Sequence, residues 1–274
     1  MRVRYSFSSR RTGNIAKMRK QKIKYPDLLQ KVLTDSDIIL EVLDARFIDD
    51  TRNLELEEDI KKKGKRIIYV INKSDLTKNT KKNLYPHVLV TCKDKKGIKE
   101  LRNKIKEVSK SINKPLKEKF DKIIVGVIGY PNTGKSSLIN LLIGKKSAGT
   151  GSEAGFTKGL QKLKLTNEIT LIDSPGVIPK KEYTSSDSIA ISKHTKVGAR
   201  SFSQVKDPEL VVAELMKEYQ EQIKEHYKIE TENPEELIEE LGRKWNLLKK
   251  GNEVNFDQTA RKILKDWQEG KIKI

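Results

Sequence analysis

Residues 122–144, KIIVGVIGYPNTGKSSLINLLIG, leave a polypeptide few options. An apolar run suited to a central strand covered on both faces is followed at once by GYPNTGKS (129–136) and then by an apolar helical stretch. The loop fills G-x-x-x-x-G-K-[ST] in full, and strand, glycine loop and helix are the setting in which that pattern holds phosphate. Gly129 and Gly134 let the backbone wrap an oligophosphate with its N–H groups, and the helix N-terminus adds favourable partial charge. Lys135 is expected at the β- and γ-phosphates and Ser136 at a Mg²⁺ ion. Asn132, Thr133 and Ser137 complete the expected lining of this loop.

The surrounding chain repeats the alternation. PDLLQKVLTDSD (26–37) reads as a helix with Pro26 in its first turn, DIILEVLDAR as a strand, 54–64 as a charged helix, and RIIYVIN and HVLVTC as further strands. Ile98, Leu101, Ile105, Val108 and Ile112 mark one face of an amphipathic helix. LQKLKLT and ITLID read as two more strands. Alternating strands and helices predict an α/β domain with a mostly parallel sheet. From Asp207 the texture changes to charged stretches with apolar residues at helical spacing: Val211, Leu215 and Tyr219, then Ala260, Ile263, Leu264 and Trp267. Asn233-Pro234 reads as a helix cap and first turn, and Asp257 as the cap of the last helix. The expected organisation is a basic arm (1–25), an α/β domain (26–206) and a small helical domain (207–274). Stretches 144–160 and 177–206 are expected to be mobile loops.

Charge adds a partner. The 274-residue chain carries a net +19, yet residues 207–274 hold twelve Lys/Arg against sixteen Asp/Glu, so the excess lies upstream. The first 25 residues have nine Lys/Arg and no carboxylate. A polyanion such as RNA is the natural partner; solvated lysine faces and a targeting segment are the competing readings. One cysteine, Cys92, excludes a disulfide framework and suits a reducing, cytoplasmic setting. No apolar run reaches the length of a membrane span.

Three further motifs specify the nucleotide. NKSD (72–75) ends the strand RIIYVIN, where the Asp75 carboxylate can accept from both N1–H and the 2-amino group of guanine; adenine offers no matching donors. Asn72 and Lys73 are expected to brace that loop and cover the base. TCK (Thr91, Cys92, Lys93) ends the next strand and is placed to offer a backbone N–H to guanine O6. DSPG (173–176) follows the strand ITLI; Asp173 is expected to hold Mg²⁺ through water, and the Gly176 N–H to meet the γ-phosphate. Between the phosphate loop and DSPG lies Thr157, expected to close over Mg²⁺ and the γ-phosphate, with Thr150 as its rival.

All five motifs occur in permuted order, base reader first. That order resembles the circularly permuted GTPases of the YlqF/YawG (RbgA-like) family, which act in assembly of the large ribosomal subunit. LDAR (43–46) matches that family's Asp-Ala-Arg signature, and GNIAKM (13–18) its N-terminal stretch, with Asn14 where bacterial members have histidine; the histidine's role is therefore not carried over. His87, His194 and His226 are scattered and read as surface or packed residues. The resemblance covers residues 10–206 strongly and the C-terminal helices weakly. It implies a circularly permuted P-loop GTPase domain, GTP/GDP and Mg²⁺ as ligands, and a monomer that acts on rRNA or pre-ribosomal subunits. Val177 stands where Ras-like enzymes place the water-orienting glutamine, so slow intrinsic turnover is expected. An asparagine at the place of Asn132 helps coordinate K⁺ in related GTPases; an asparagine kept for loop geometry is the competing reading. A nucleotide-gated scaffold with negligible hydrolysis is the alternative. Permutation also hangs the helical domain directly after DSPG, which predicts a link from nucleotide state to domain position.

Overall fold

The computed structural model describes residues 27–77, 84–112, 122–144, 160–176, 178 and 188–274, with backbone alone at 188–191. The arm, Asn14, Thr150, Thr157 and Val177 lie outside the described residues.

A helix over residues 27–35 (α1) leads into β1 (Ile38–Asp44), all seven residues of which are buried. A short turn of helix (α2, Ile48–Thr51) and α3 (Leu54–Lys62) follow; Asn53 caps α3 by accepting from Leu56 N–H. Then come β2 (Arg66–Asn72), β3 (His87–Leu89), α4 (Ile98–Lys110), β4 (Ile123–Gly129), α5 (Lys135–Ile143), β5 (Gln161–Lys164) and β6 (Ile169–Asp173). The six strands are ordered β3-β2-β1-β4-β6-β5, with every pair parallel except β5 against β6. The strands expected from apolar runs are all present, and the sheet is mostly parallel as predicted.

Both faces of the sheet are covered, which is why its strands read as apolar runs rather than alternations. On one side α4 and α5 bring Leu101, Ile105, Leu138 and Ile139 against Leu40, Val42, Val70 and Val127. On the other, α1 and α3 set Val32, Leu33 and Ile60 against Ile39, Ile128 and Ile172. Glu41 interrupts this second face. Its Oε1 accepts from Asn53 N–H at 3.1 Å, and its Oε2 is buried with no partner among the described residues. Burial, reinforced by neighbouring Glu57, pushes the carboxyl up to about 8. A carboxyl raised on folding adds stability that is complete below its unfolded value and lost as pH rises through the folded one. Glu41→Gln cannot ionise, so the two proteins should unfold alike near pH 4. Above pH 8 the wild type should be weaker by about 5 kcal/mol, read from urea midpoints across pH.

The C-terminal region departs from expectation. Part of the stretch expected as a mobile loop is ordered: Ser188–Lys196 is a helix (α6), and Val197, Ala199 and Val205 beyond it are buried. Local composition there is polar; tertiary packing decides its structure. Three helices follow, α7 (Pro208–Tyr227, with non-helical torsions at Tyr219), α8 (Pro234–Lys244) and α9 (Phe256–Gln268). Asn233 caps α8 ahead of Pro234 as read from sequence, but α9 is capped by Asn255, whose side chain accepts from Gln258 N–H. Asp257 instead pairs with Arg261 at 2.8 Å. The core under these helices includes Phe47 and Tyr130 from the sheet's loops alongside Leu215, Leu241, Ile263 and Trp267.

Candidate nucleotide site

Strand register brings four chain positions to one edge. Asp44 pairs with Asn72, Val42 with Gly129, and Val127 with Asp173, so the carboxyl ends of β1, β2, β4 and β6 are level. In an open α/β sheet that edge is where ligands bind, and every sequence-predicted motif within the described residues lies on it.

The phosphate loop needs unusual backbone: Gly129 has φ 147°, Asn132 60° and Gly134 96°. A Cβ on Gly134 would lie 2.3 Å from Asn72 Nδ2, so the loop and the base-reading strand approach too closely for any side chain there. Thr133 Oγ1 donates to the Tyr130 carbonyl at 3.0 Å. The Lys135 ammonium donates to the carbonyls of Gly129 (3.0 Å) and Tyr130 (2.8 Å), folded over the loop it belongs to. Burial drives the Lys135 ammonium downward and the nearby Asp173 carboxyl upward, and each charge partly offsets the other's burial. Both groups therefore gain from added charge: a phosphate beside Lys135, a cation beside Asp173.

The donor set suits Mg²⁺. Asp173 Oδ1 is buried with no hydrogen-bond partner among the described residues, and its Oδ2 accepts from Ser136 Oγ at 3.3 Å. A carboxylate oxygen beside a hydroxyl is the hard-oxygen chemistry this ion prefers, usually with several waters retained. The DSPG turn is pinned by Ser174 Oγ, which donates to the Val127 carbonyl at 2.6 Å. A Cβ on Gly176 would lie 2.8 Å from Pro131 Cα, so this glycine sits hard against the phosphate loop. Ser137 is exposed on the first turn of α5.

The NKSD loop is a 3₁₀ turn, Ser74–Leu76, entered through Lys73 at φ 60°. Asn72 braces it as expected, and the structure shows how: Nδ2 donates to the Thr133 carbonyl at 2.7 Å and Oδ1 accepts from Cys92 N–H at 3.3 Å. One amide thus clasps the phosphate loop and the TCK turn together. Ser74 Oγ lies 2.9 Å from Thr91 Oγ1, tying the NKSD turn itself to the TCK turn. Asp75 is half-buried on this turn, and Lys93 is exposed. Burial pushes the Cys92 thiol up to about 11, so it is a neutral side chain and its N–H is the group of interest.

Two features go beyond the sequence reading. Asn132 Nδ2 donates to the Gly198 carbonyl at 2.7 Å, tying the phosphate loop to the segment after α6. LDAR, noted in sequence only as a signature, forms a buried charge cluster. Arg46 bonds both Asp44 oxygens (Nη2–Oδ2 2.9 Å, Nε–Oδ1 3.1 Å), and the Lys73 ammonium reaches Asp44 Oδ2 at 2.7 Å. Burial alone would raise the Asp44 carboxyl, but the Lys73 and Arg46 charges outweigh it and hold it far below the usual carboxylate range. Lys73 therefore points its charge at Asp44, and only its stem is available to cover a base.

A fold with the G-x-x-x-x-G-K-S, DSPG and NKSD loops aligned on one sheet edge defines a P-loop nucleotide-binding protein of the GTPase class, permuted so that NKSD comes first. Residues 124–243 match the 50S ribosome-binding GTPase family. The chain is 40% identical over 266 residues to the uncharacterized GTP-binding protein MJ1464 of Methanocaldococcus jannaschii, covering 93% of this chain and 68% of that one. It is 33% identical to nucleolar GTP-binding protein 2 of Pneumocystis carinii, over 89% of this chain and 52% of that one. GNP-bound YlqF from T. maritima shares the fold, with a TM-score of 0.63 at 23% identity, over 91% of this chain and 95% of that one. The chain belongs to the same family of GTP-binding proteins as the archaeal relative, with its motifs in circularly permuted order. It spans about two thirds of the archaeal relative and about half of the fungal one.

Proposed function

We propose that this chain is a GTP-hydrolysing switch that acts on rRNA or pre-ribosomal large subunits during ribosome assembly. The observation that carries the reading is the Asn72 clasp, in which Nδ2 of the NKSD asparagine bonds the Thr133 carbonyl of the phosphate loop at 2.7 Å and holds a base reader beside a phosphate holder. The name of the matched family and the basic excess upstream of Asp207 support a ribosomal partner. In this reading Asp75 accepts from guanine, Lys135 and the loop N–H groups hold the β- and γ-phosphates, and Ser136 and Asp173 hold Mg²⁺. When bound, Mg²⁺ neutralises charge on the β- and γ-oxygens. Thr157 and the Gly176 N–H sense the γ-phosphate. The chain acts as a monomer, in the compartment where ribosomal subunits are built.

Co-sedimentation with ribosomal subunits under GDP, GTP and a non-hydrolysable analogue tests this. Binding favoured by the triphosphate, together with turnover stimulated by the particles, is the expected result. Nucleotide-gated binding without stimulated turnover would make the protein a scaffold, the reading that Val177 favours. Asn132 is proposed to hold K⁺ through its amide oxygen while its nitrogen holds Gly198. Turnover should then be faster in K⁺ than in Na⁺ at equal ionic strength, and Asn132→Ala should erase the difference. Equal rates in the two salts would leave hydrolysis to a partner's side chain.

A further inference from the structure

The base-reading loop is gripped from its far side by the C-terminal end of α9. Arg46 Nη1 donates to the Trp267 carbonyl at 3.1 Å while the same guanidinium holds Asp44, which in turn holds Lys73. The Arg46 and Asp44 side chains are all but fully buried, at 2% and 0% exposure, so this pair is shielded from water, while Lys73 at the outer end is 24% exposed. Beyond α9 the chain turns at Gly270, where a Cβ would lie 2.5 Å from Leu76 Cδ1, and Ile274 N–H donates to the Leu76 carbonyl at 3.2 Å. Leu76 directly follows Asp75. The turn is thus held at Lys73 through charge and at Leu76 through packing, and both holds run to the end of α9.

Trp267 anchors the other end. It is buried, with ring centroids 4.8 Å from Tyr219 and 5.9 Å from Phe47, and its Nε1 donates to the Lys196 carbonyl at 3.0 Å. Lys196 closes the cluster by pairing with Asp50 at 2.9 Å. A shift of the base-reading turn therefore reaches the junction of α6, α7 and α9 through a continuous set of bonds.

We infer that Arg46 is a positioning residue for guanine recognition, and that it couples the base-reading turn to the C-terminal helices. The helical region then senses the base as well as the γ-phosphate: seating of guanine on Asp75 and packing of α9 favour each other. Coupling of this kind is reciprocal. The inference rests on the assignment of Asp75 as the base reader, and the experiment separates the two.

Arg46→Lys keeps a cation for Asp44 but lacks the planar fork needed to hold Asp44 and the Trp267 carbonyl together. Leu76→Ala trims the half-buried second hold, so it tests the same coupling even where Arg46→Lys fails to fold. Each is made in the full chain with Trp245→Phe, which leaves Trp267 as the single tryptophan reporter. Affinities for GDP and IDP are measured, because IDP lacks the 2-amino donor. Both variants should narrow the preference for GDP by about tenfold, within the range typical of coupled sites. Trp267 emission should respond to GDP in the parent and respond less in the variants. A role in fold stability alone would weaken GDP and IDP alike and leave the preference intact. If Asp75→Asn collapses the preference while Arg46→Lys and Leu76→Ala keep it, the coupling is refuted and the base site stands. If Asp75→Asn also leaves the preference unchanged, the base assignment fails and takes this inference with it.

Discussion

Asp75→Asn is expected to lower affinity for GTP by about 2–4 kcal/mol and to raise affinity for the xanthine nucleotide. The carboxylate offers two acceptors to guanine N1–H and the 2-amino group. An asparagine keeps one acceptor and presents an N–H to the other donor, which is a loss of one bond and a clash of like dipoles. Xanthine carries a carbonyl where guanine has its amino group, so the new N–H finds an acceptor there. Little else should change, because the turn is held by Asn72, Ser74 and Lys73 rather than by Asp75 itself. Isothermal titration with GTP and XTP checks both directions. Equal GTP affinity in variant and wild type would remove the base site from this turn.

Lys135→Met should have a comparable or larger effect, about 3–4 kcal/mol in nucleotide affinity, since charge-assisted bonds to phosphate are among the strongest available. The effect on folding should be far smaller. The ammonium is held by two carbonyls of its own loop at 2.8 and 3.0 Å, in surroundings that drive its proton affinity down. Methionine fills nearly the same volume without a buried charge, and loss of the Lys135 charge moves the Asp173 carboxyl further upward, which lessens the cost of its burial. Thermal melts without nucleotide should move little, while the increment produced by GDP should vanish. A large fall in the nucleotide-free melting temperature would show that Lys135 holds the loop as well as the ligand.

The legible parts of this protein were those encoded locally. A seven-residue apolar strand running into G-x-x-x-x-G-K-S needs no tertiary information to be read, and the level strand ends follow from parallel register. NKSD and DSPG were readable because each ends such a strand. The illegible parts depend on distant sequence. Arg46 and the Trp267 carbonyl are 221 residues apart, and no local pattern announces that α9 returns to LDAR. Ser188–Lys196 looked like a loop because its residues are polar; the burial of Val197, Ala199 and Val205 beside it comes from helices that follow. Glu41 lies inside an apolar run that reads as ordinary strand, although it is a buried acid with one oxygen unpartnered among the described residues. Capping of α9 by Asn255 rather than Asp257 is a two-residue error of a familiar kind, since helix ends are the least sharply encoded part of a helix.

The strand order divides the sheet into two sequence-contiguous halves. Residues before 112 build β3-β2-β1, and residues after 122 build β4-β6-β5. Among the described residues the halves join in the sheet along one ladder, β1 with β4, from Ile38↔Val125 to Val42↔Gly129. Asp75 belongs to the first half, and Lys135, Ser136 and Asp173 to the second. In the proposed site a bound nucleotide is therefore a staple across a seam, base in one half and phosphates in the other. Ligand at a hundred times its dissociation constant adds about 2.7 kcal/mol to a folded state it binds exclusively, and here that increment falls on the joint between halves. The backbone amide of Val42, deep in the sheet at that joint, should gain protection from hydrogen exchange when nucleotide binds, although it does not touch the ligand.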